Sequence, residues 1–142
     1  MKEALKCAQK ALLFDEVPVG ALIVKDGKII AKGYNKSIKS KDTTAHAEIV
    51  AIRKACKKLN NYRLNDCTVY VTIEPCAMCT GALIWARVKK IVFGAYDIKA
   101  GACGSVFDIP SEKKLNHTVE VVGGLLQEEC ATIIKRFFKS KR

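Results

Sequence analysis

The stretch from Cys67 to Tyr96 constrains the fold more than any other part of the chain. An apolar run, "CTVYVTI", gives way to "EPCAMC" and a short apolar segment, and a second apolar run, "KKIVFGAY", follows. The first run reads as a strand. Pro75 suits a first helical turn, where its missing N–H leaves nothing unpaired, so a helix is expected from there to about Ala86. The second run is continuous rather than alternating, which fits a strand in a buried parallel position.

Elsewhere the pattern alternates in the same way. Leu5, Ala8, Leu12 and Leu13 recur at helical spacing, predicting a helix over Glu3 to Leu13. Two apolar runs, Val19 to Val24 and Lys28 to Tyr34, flank Asp26-Gly27, a pair that tolerates the positive φ of a tight hairpin. Thr43 and Thr44 are candidate caps for a helix from about Ala45 to Leu59. "DIKAGACGSVFDIPSEKKLNH" has no sustained period and reads as a long loop, a kind more often functional than idle. "TVEVVGGL" offers a last strand and "QEECATIIKRFFKSKR" a closing amphipathic helix with a basic tail. Together these predict one α/β domain over residues 1–142, a mixed sheet covered by helices on both faces.

Lys and Arg number 25 against 14 acidic residues, a formal net charge of +11 that favours a polyanionic partner, nucleic acid being the usual one. No segment reads as a signal peptide or membrane span. Seven cysteines without a secretory signal point to a reducing compartment, and the odd count argues against a complete disulfide framework.

Cys76 and Cys79 sit three apart at a helix start, so their sulfurs project from one side, and the helix N-terminus favours thiolate. Two such thiolates can hold a zinc ion given further ligands, and His46 is the obvious third. Three protein ligands leave the fourth position to water, the pattern of a catalytic zinc. Glu48 is the candidate proton carrier beside that water. Residues two apart on a helix point to nearly opposite sides, so His46 and Glu48 converge only if both act at the helix tip. A His-x-Glu followed by Pro-Cys-x-x-Cys is the signature of the zinc-dependent nucleobase deaminases. Cys7, Cys56, Cys67, Cys103 and Cys130 read as small buried or incidental residues.

"EVPVGA" at Glu16, "AHAE" at Ala45, "EPCAMC" at Glu74, "GAYDIKAGACGS" at Gly94 and "NHTVE" at Asn116 follow one another in an order that resembles the bacterial-type tRNA-specific adenosine deaminases. That resemblance implies a three-layer α/β/α cytidine deaminase-like fold with a central mixed five-stranded sheet. It implies wobble adenosine converted to inosine in tRNA anticodon loops, by a cytoplasmic homodimer with one zinc per subunit. His46, Cys76 and Cys79 then correspond to the zinc ligands and Glu48 to the proton shuttle. Asn35 matches a position that holds the target nucleoside, and Asn116 one that contacts the anticodon loop. Asp97 and Lys99 fall in an RNA-facing segment, and Phe137 and Phe138 resemble an aromatic pair suited to unstacked bases, at least one of them expected in the core. Ser37, Tyr96 and Cys103 depart from the family pattern at positions that bear on substrate preference.

Three rivals share the chemistry or the charge. "RKAC" at Arg53 and "IWAR" at Ile84 are similar to segments of guanine deaminases, which act on a free base and have no need of the +11 charge. A zinc-stabilised RNA-binding module without catalysis would use the same ligands with Glu48 as a surface carboxylate. Cytosine deamination in nucleic acid depends on pocket shape.

Overall fold

The structure is a computed structural model describing residues 1–142. Its elements run α1 (Lys2–Leu12), β1 (Gly20–Lys25), β2 (Lys28–Tyr34), α2 (Ser37–Ser40), α3 (Ala47–Leu59), β3 (Thr68–Ile73), α4 (Ala77–Trp85), β4 (Lys90–Ala95), a 3-10 turn (Ile109–Ser111), β5 (Glu120–Val122) and α5 (Gln127–Ser140). The five strands form one mixed sheet in the order β2-β1-β3-β4-β5. The β1 strand pairs antiparallel with β2 and β3, while β3–β4 and β4–β5 are parallel, as the continuous apolar run at β4 predicts.

Helices α1 and α5 cover one face of the sheet and α3 and α4 the other, giving three layers. Alternation along the strands divides the core. Ala21, Ile23, Val69, Val71, Ile91 and Phe93 meet Ala47, Ala51, Ala55 and Leu83 on the α3/α4 side, while Leu22 meets Ala4 and Cys7 beneath α1.

Close helix–sheet approach depends on glycine. A Cβ at Gly33 would stand 2.4 Å from the Ala47 carbonyl oxygen, and one at Gly20 would stand 2.0 Å from that of Ala4. The tight seat at Gly20 also corrects the sequence reading of α1. Its buried residues are Ala4, Cys7, Ala8 and Ala11, because only small side chains fit there, and Leu12 and Leu13 are exposed. At the hairpin, Asp26 and Gly27 take φ of 51° and 74°, the left-handed pair expected from Asp-Gly.

Two helix starts differ from expectation. The third helix begins at Ala47 with His46 as its N-cap, and neither Thr43 nor Thr44 caps it; the Thr44 hydroxyl and N–H both turn back to the Asp42 carboxylate at 2.7 and 2.8 Å. The fourth begins at Ala77 with Cys76 as its N-cap, so Pro75 lies just outside it. The segment after β4 is a loop of turns, tied back by bridges from Cys76 to Gly101 and from Cys103 to Asp108. No helix is long and apolar enough to cross a membrane.

Candidate active site

The parallel strands β3 and β4 end side by side, and the N-termini of α3 and α4 meet beyond them, the usual place for a site in an open α/β sheet. Both caps have extended backbone, His46 with φ −71° and ψ 156°, Cys76 with φ −72° and ψ 175°. The non-helical turn at His46 lets its ring and the Glu48 side chain, two residues into the chain direction of α3, line one cavity. That answers the geometric question left by their spacing.

Asn35 fixes this helix tip from outside. Its Oδ1 accepts the Ala47 N–H at 2.8 Å, taking the capping role that no side chain of the α3 start fills. Glu16, also buried, accepts the Lys39 N–H at 2.7 Å and so ties down the segment after Asn35. In the sequence Glu16 and Glu74 stood out only as the first residues of "EVPVGA" and "EPCAMC"; burial gives both a structural task.

His46, Cys76 and Cys79 present ligand atoms within 4.8 Å of one another. The His46 Nδ1 lies 3.7 Å from the Cys76 Sγ and 3.5 Å from the Cys79 Sγ. Tetrahedral zinc, with Zn–S about 2.3 Å and Zn–N about 2.0–2.1 Å, needs an N···S edge of about 3.6 Å, so this donor set fits it. A soft pair of sulfurs with one imidazole is also the chemistry zinc selects.

The electrostatics of the bare protein agree. Hydrogen bonding from Cys79, and after burial's opposing effect from His46, holds the Cys76 thiol down to about 4. Cys79, bonded to that thiolate and buried, is pushed far above the ordinary thiol range. His46 is raised by its hydrogen bond to Cys76. Glu48, 3 % exposed, is pushed up to about 7 by burial. A carboxyl in that range both accepts and returns a proton near neutrality.

The cavity holds about 250 Å³ and is lined by Asn35, His46, Glu48, Cys76, Asp97 and Phe138, with Val17, Val19, Ile73 and Ile134 as apolar walls. At Ile73, Asp97, Ile134 and Phe138 it adjoins a larger groove lined also by Tyr96, Lys99, Lys135, Lys139, Lys141 and Arg142. Of the residues singled out in the sequence, Asn35, Asp97 and Phe138 thus line the cavity with His46, Cys76 and Glu48, Cys79 lies buried behind them, and Lys99 lines the groove. Phe137 and Asn116 do not join them. Phe137 faces Leu5, Leu12 and Ile133 in a cleft between α1 and α5, and Asn116 is exposed, its carbonyl accepting Arg87 Nη1 at 3.0 Å. Neither Phe is in the core, contrary to expectation: Phe137 is half-buried and Phe138 exposed, since the one fully buried residue of α5 is Cys130, seated against Gly94 near the helix start. All seven cysteines are free, and Cys7, Cys67 and Cys130 are buried as expected.

This fold and site define a class, and the chain belongs to it: residues 1–95 match the cytidine and deoxycytidylate deaminase zinc-binding region. Within that class the chain is 50% identical to the tRNA-specific adenosine deaminase of Haemophilus influenzae, over 100% of this chain and 83% of the relative. It superposes with a TM-score of 0.91 on a solved tRNA:A34 deaminase studied for A-to-I editing at the wobble position of transfer RNA, at 43% identity over 94% of this chain and 96% of that one. A guanine deaminase from Bacillus subtilis, 38% identical over 99% of this chain and 90% of the other, superposes with a TM-score of 0.66.

Proposed function

We propose that the protein is a zinc-dependent tRNA adenosine deaminase that converts wobble adenosine to inosine in anticodon loops. The observation that carries this reading is the continuity of the deaminase cavity with a groove bearing Lys99, Lys135, Lys139, Lys141 and Arg142. Lys141 pairs with Asp15, but a free purine base has no phosphates for the other four cations, whereas a nucleotide extruded from an RNA loop brings its flanking backbone with it. Superposition and identity are both higher with the tRNA deaminase than with the guanine deaminases, which supports the same choice.

His46, Cys76 and Cys79 would hold one zinc per subunit, which when bound acts as a Lewis acid that activates water. The chain's own part in the reaction is proton movement and positioning. Water oxygen adds to C6 of adenine and the C6–N bond breaks, so the amino group departs as ammonia and the base becomes hypoxanthine. Glu48 takes a proton from the attacking water and delivers it to ring N1, then takes the remaining proton of the oxygen added at C6 and gives it to the leaving amine. With its oxygen engaged by Ala47, Asn35 has its amide NH₂ left to donate to the nucleoside. Val17, Val19, Ile73 and Ile134 form an apolar wall that limits water around the base.

Asp97, Lys99 and Phe138 would contact the RNA beside the target. Asn116 and Phe137, lying away from the cavity, would reach only the more distant anticodon stem-loop. The whole of residues 1–142 acts as one deaminase domain in this reading, since all five strands belong to one sheet. Trp85, 80 % exposed at the end of α4, together with Met78 on the same helix, offers an apolar contact for a second copy and supports a homodimer. The substrate and the seven free thiols favour a cytoplasmic location.

The test is incubation of zinc-loaded protein with an anticodon stem-loop carrying a wobble adenosine, in parallel with free guanine, followed by mass spectrometry. Inosine in the RNA without xanthine is expected. Xanthine without inosine would transfer the protein to the guanine deaminases, and no product from either would leave a binding module.

A further inference from the structure

We propose that Glu74 is a positioning residue whose carboxylate fixes the loop from Asp97 to Ser105 against the mouth of the active-site cavity. It stands between the end of β3 and the zinc-site residue Cys76, and is 1 % exposed. No cation pairs with it. Four donors from one loop do instead: its Oε1 accepts the N–H groups of Cys103 and Ser105, each at 3.0 Å, and its Oε2 accepts the Asp97 N–H at 3.0 Å and the Ser105 hydroxyl. A carboxylate offers about four lone-pair sites on two oxygens, and here all four are filled.

The backbone around this knot is shaped to reach it. A Cβ at Gly101 would stand 2.4 Å from the Glu74 carboxyl carbon, so only glycine lets the loop close over the carboxylate. The Ala102 N–H donates to the Pro75 carbonyl at 2.8 Å, which stitches the loop to the next residue as well. Burying an ionised carboxylate is costly unless its oxygens are satisfied, so the loop and Glu74 stabilise each other or neither holds.

The consequence falls on substrate binding. The anchored loop carries Asp97, whose backbone Glu74 holds directly, and Lys99, both lining the groove beside the cavity. This inference rests on the proposed RNA substrate for its kinetic readout, but not for its structural one. Glutamine is the discriminating substitution. In Glu74→Gln one oxygen still accepts from Cys103 and Ser105, while the new NH₂ faces the Asp97 N–H and leaves that donor unpaired.

Backbone amide hydrogen exchange by NMR, zinc content, and kcat and KM on the stem-loop are measured for the parent, Glu74→Gln and Ser105→Ala. In Glu74→Gln the Asp97 amide should lose protection by about tenfold or more, the scale of one charge-assisted hydrogen bond, with zinc content unchanged. KM for the stem-loop should rise about tenfold with kcat within about threefold, the pattern of lost uniform binding. Ser105→Ala, which keeps the Asp97 bond, should leave that amide protected. Unchanged Asp97 protection in Glu74→Gln would overturn the proposal. So would loss of zinc together with kcat, since Glu74 would then be supporting Cys76 rather than the loop. If the parent lacks stem-loop activity, the substrate reading fails while the exchange result still decides the role of Glu74.

Discussion

Asn35 Oδ1 accepts the backbone N–H of Ala47 at 2.8 Å, so a residue that lines the candidate active-site cavity is also the cap of the helix that presents His46 and Glu48. Two substitutions separate these tasks. Asn35→Asp keeps the acceptor and should leave thermal stability near the parent's while kcat/KM falls at least tenfold, because the donor NH₂ is gone. Asn35→Ala should lose both, with a stability cost of about 1 kcal/mol, typical of a lost cap. Thermal unfolding beside steady-state kinetics checks it, and equal activity in Asn35→Asp would remove the nucleoside contact.

Glu48→Gln keeps the shape of the buried side chain and removes its ability to carry a proton. Zinc content and the circular dichroism spectrum should match the parent, and kcat should drop by about 10²–10⁴-fold. A variant that turned over at the parent rate would reassign the proton shuttle.

Lys135 and Lys139 line the groove beside the cavity and touch no acidic partner. Changing both to Gln should weaken stem-loop binding at low salt and make the plot of log K against log salt shallower by about 0.7 per lost phosphate contact. Binding titrations at several salt concentrations measure this; a slope equal to the parent's would place the RNA elsewhere.

The two phenylalanines of α5 should behave differently. Phe138→Ala, at the cavity, should lower kcat/KM with little change in thermal stability. Phe137→Ala should lower the melting temperature, since half-buried Phe137 lines the cleft between α5 and α1 with Leu5 and Leu12, and should alter kcat/KM less. Reversed effects would mean that the α1 cleft, rather than the groove, faces the substrate.

Cys130 supplies a pH test outside the His46, Cys76 and Cys79 group. Burial pushes its thiol up to about 11 from the ordinary 9.0. An acid raised on folding holds its proton longer in the native state, so its contribution to stability is complete below pH 9 and falls as the pH rises to about 11. Denaturant titrations should show a steeper loss of stability across that window for the parent than for Cys130→Ala. Parallel pH profiles would show that the thiol titrates alike in both states.

The strand and helix order, the Asp26-Gly27 hairpin, the parallel placement of β4 and the His46, Glu48, Cys76 and Cys79 set were all legible in the sequence. They rest on local causes: apolar period, turn chemistry, and a short spacing of soft ligands at helix starts. The convergence of His46 with Glu48 needed the extended backbone at the α3 cap, which depends on Asn35, a residue from another element. The caps expected at Thr43 and Thr44 and the helix start expected at Pro75 failed for the same reason, because a helix end is chosen by which partner the tertiary fold brings near. The packing of α1 on Gly20 selected alanines over leucines for burial, and the seating of α5 on Gly94 through Cys130 decided that Phe138 lines the cavity and Phe137 the cleft beside α1. Glu74 carries the contrast furthest. In the chain it is one acid before a Pro-Cys pair; its four donors come from residues at least 23 positions away, and only folding delivers them.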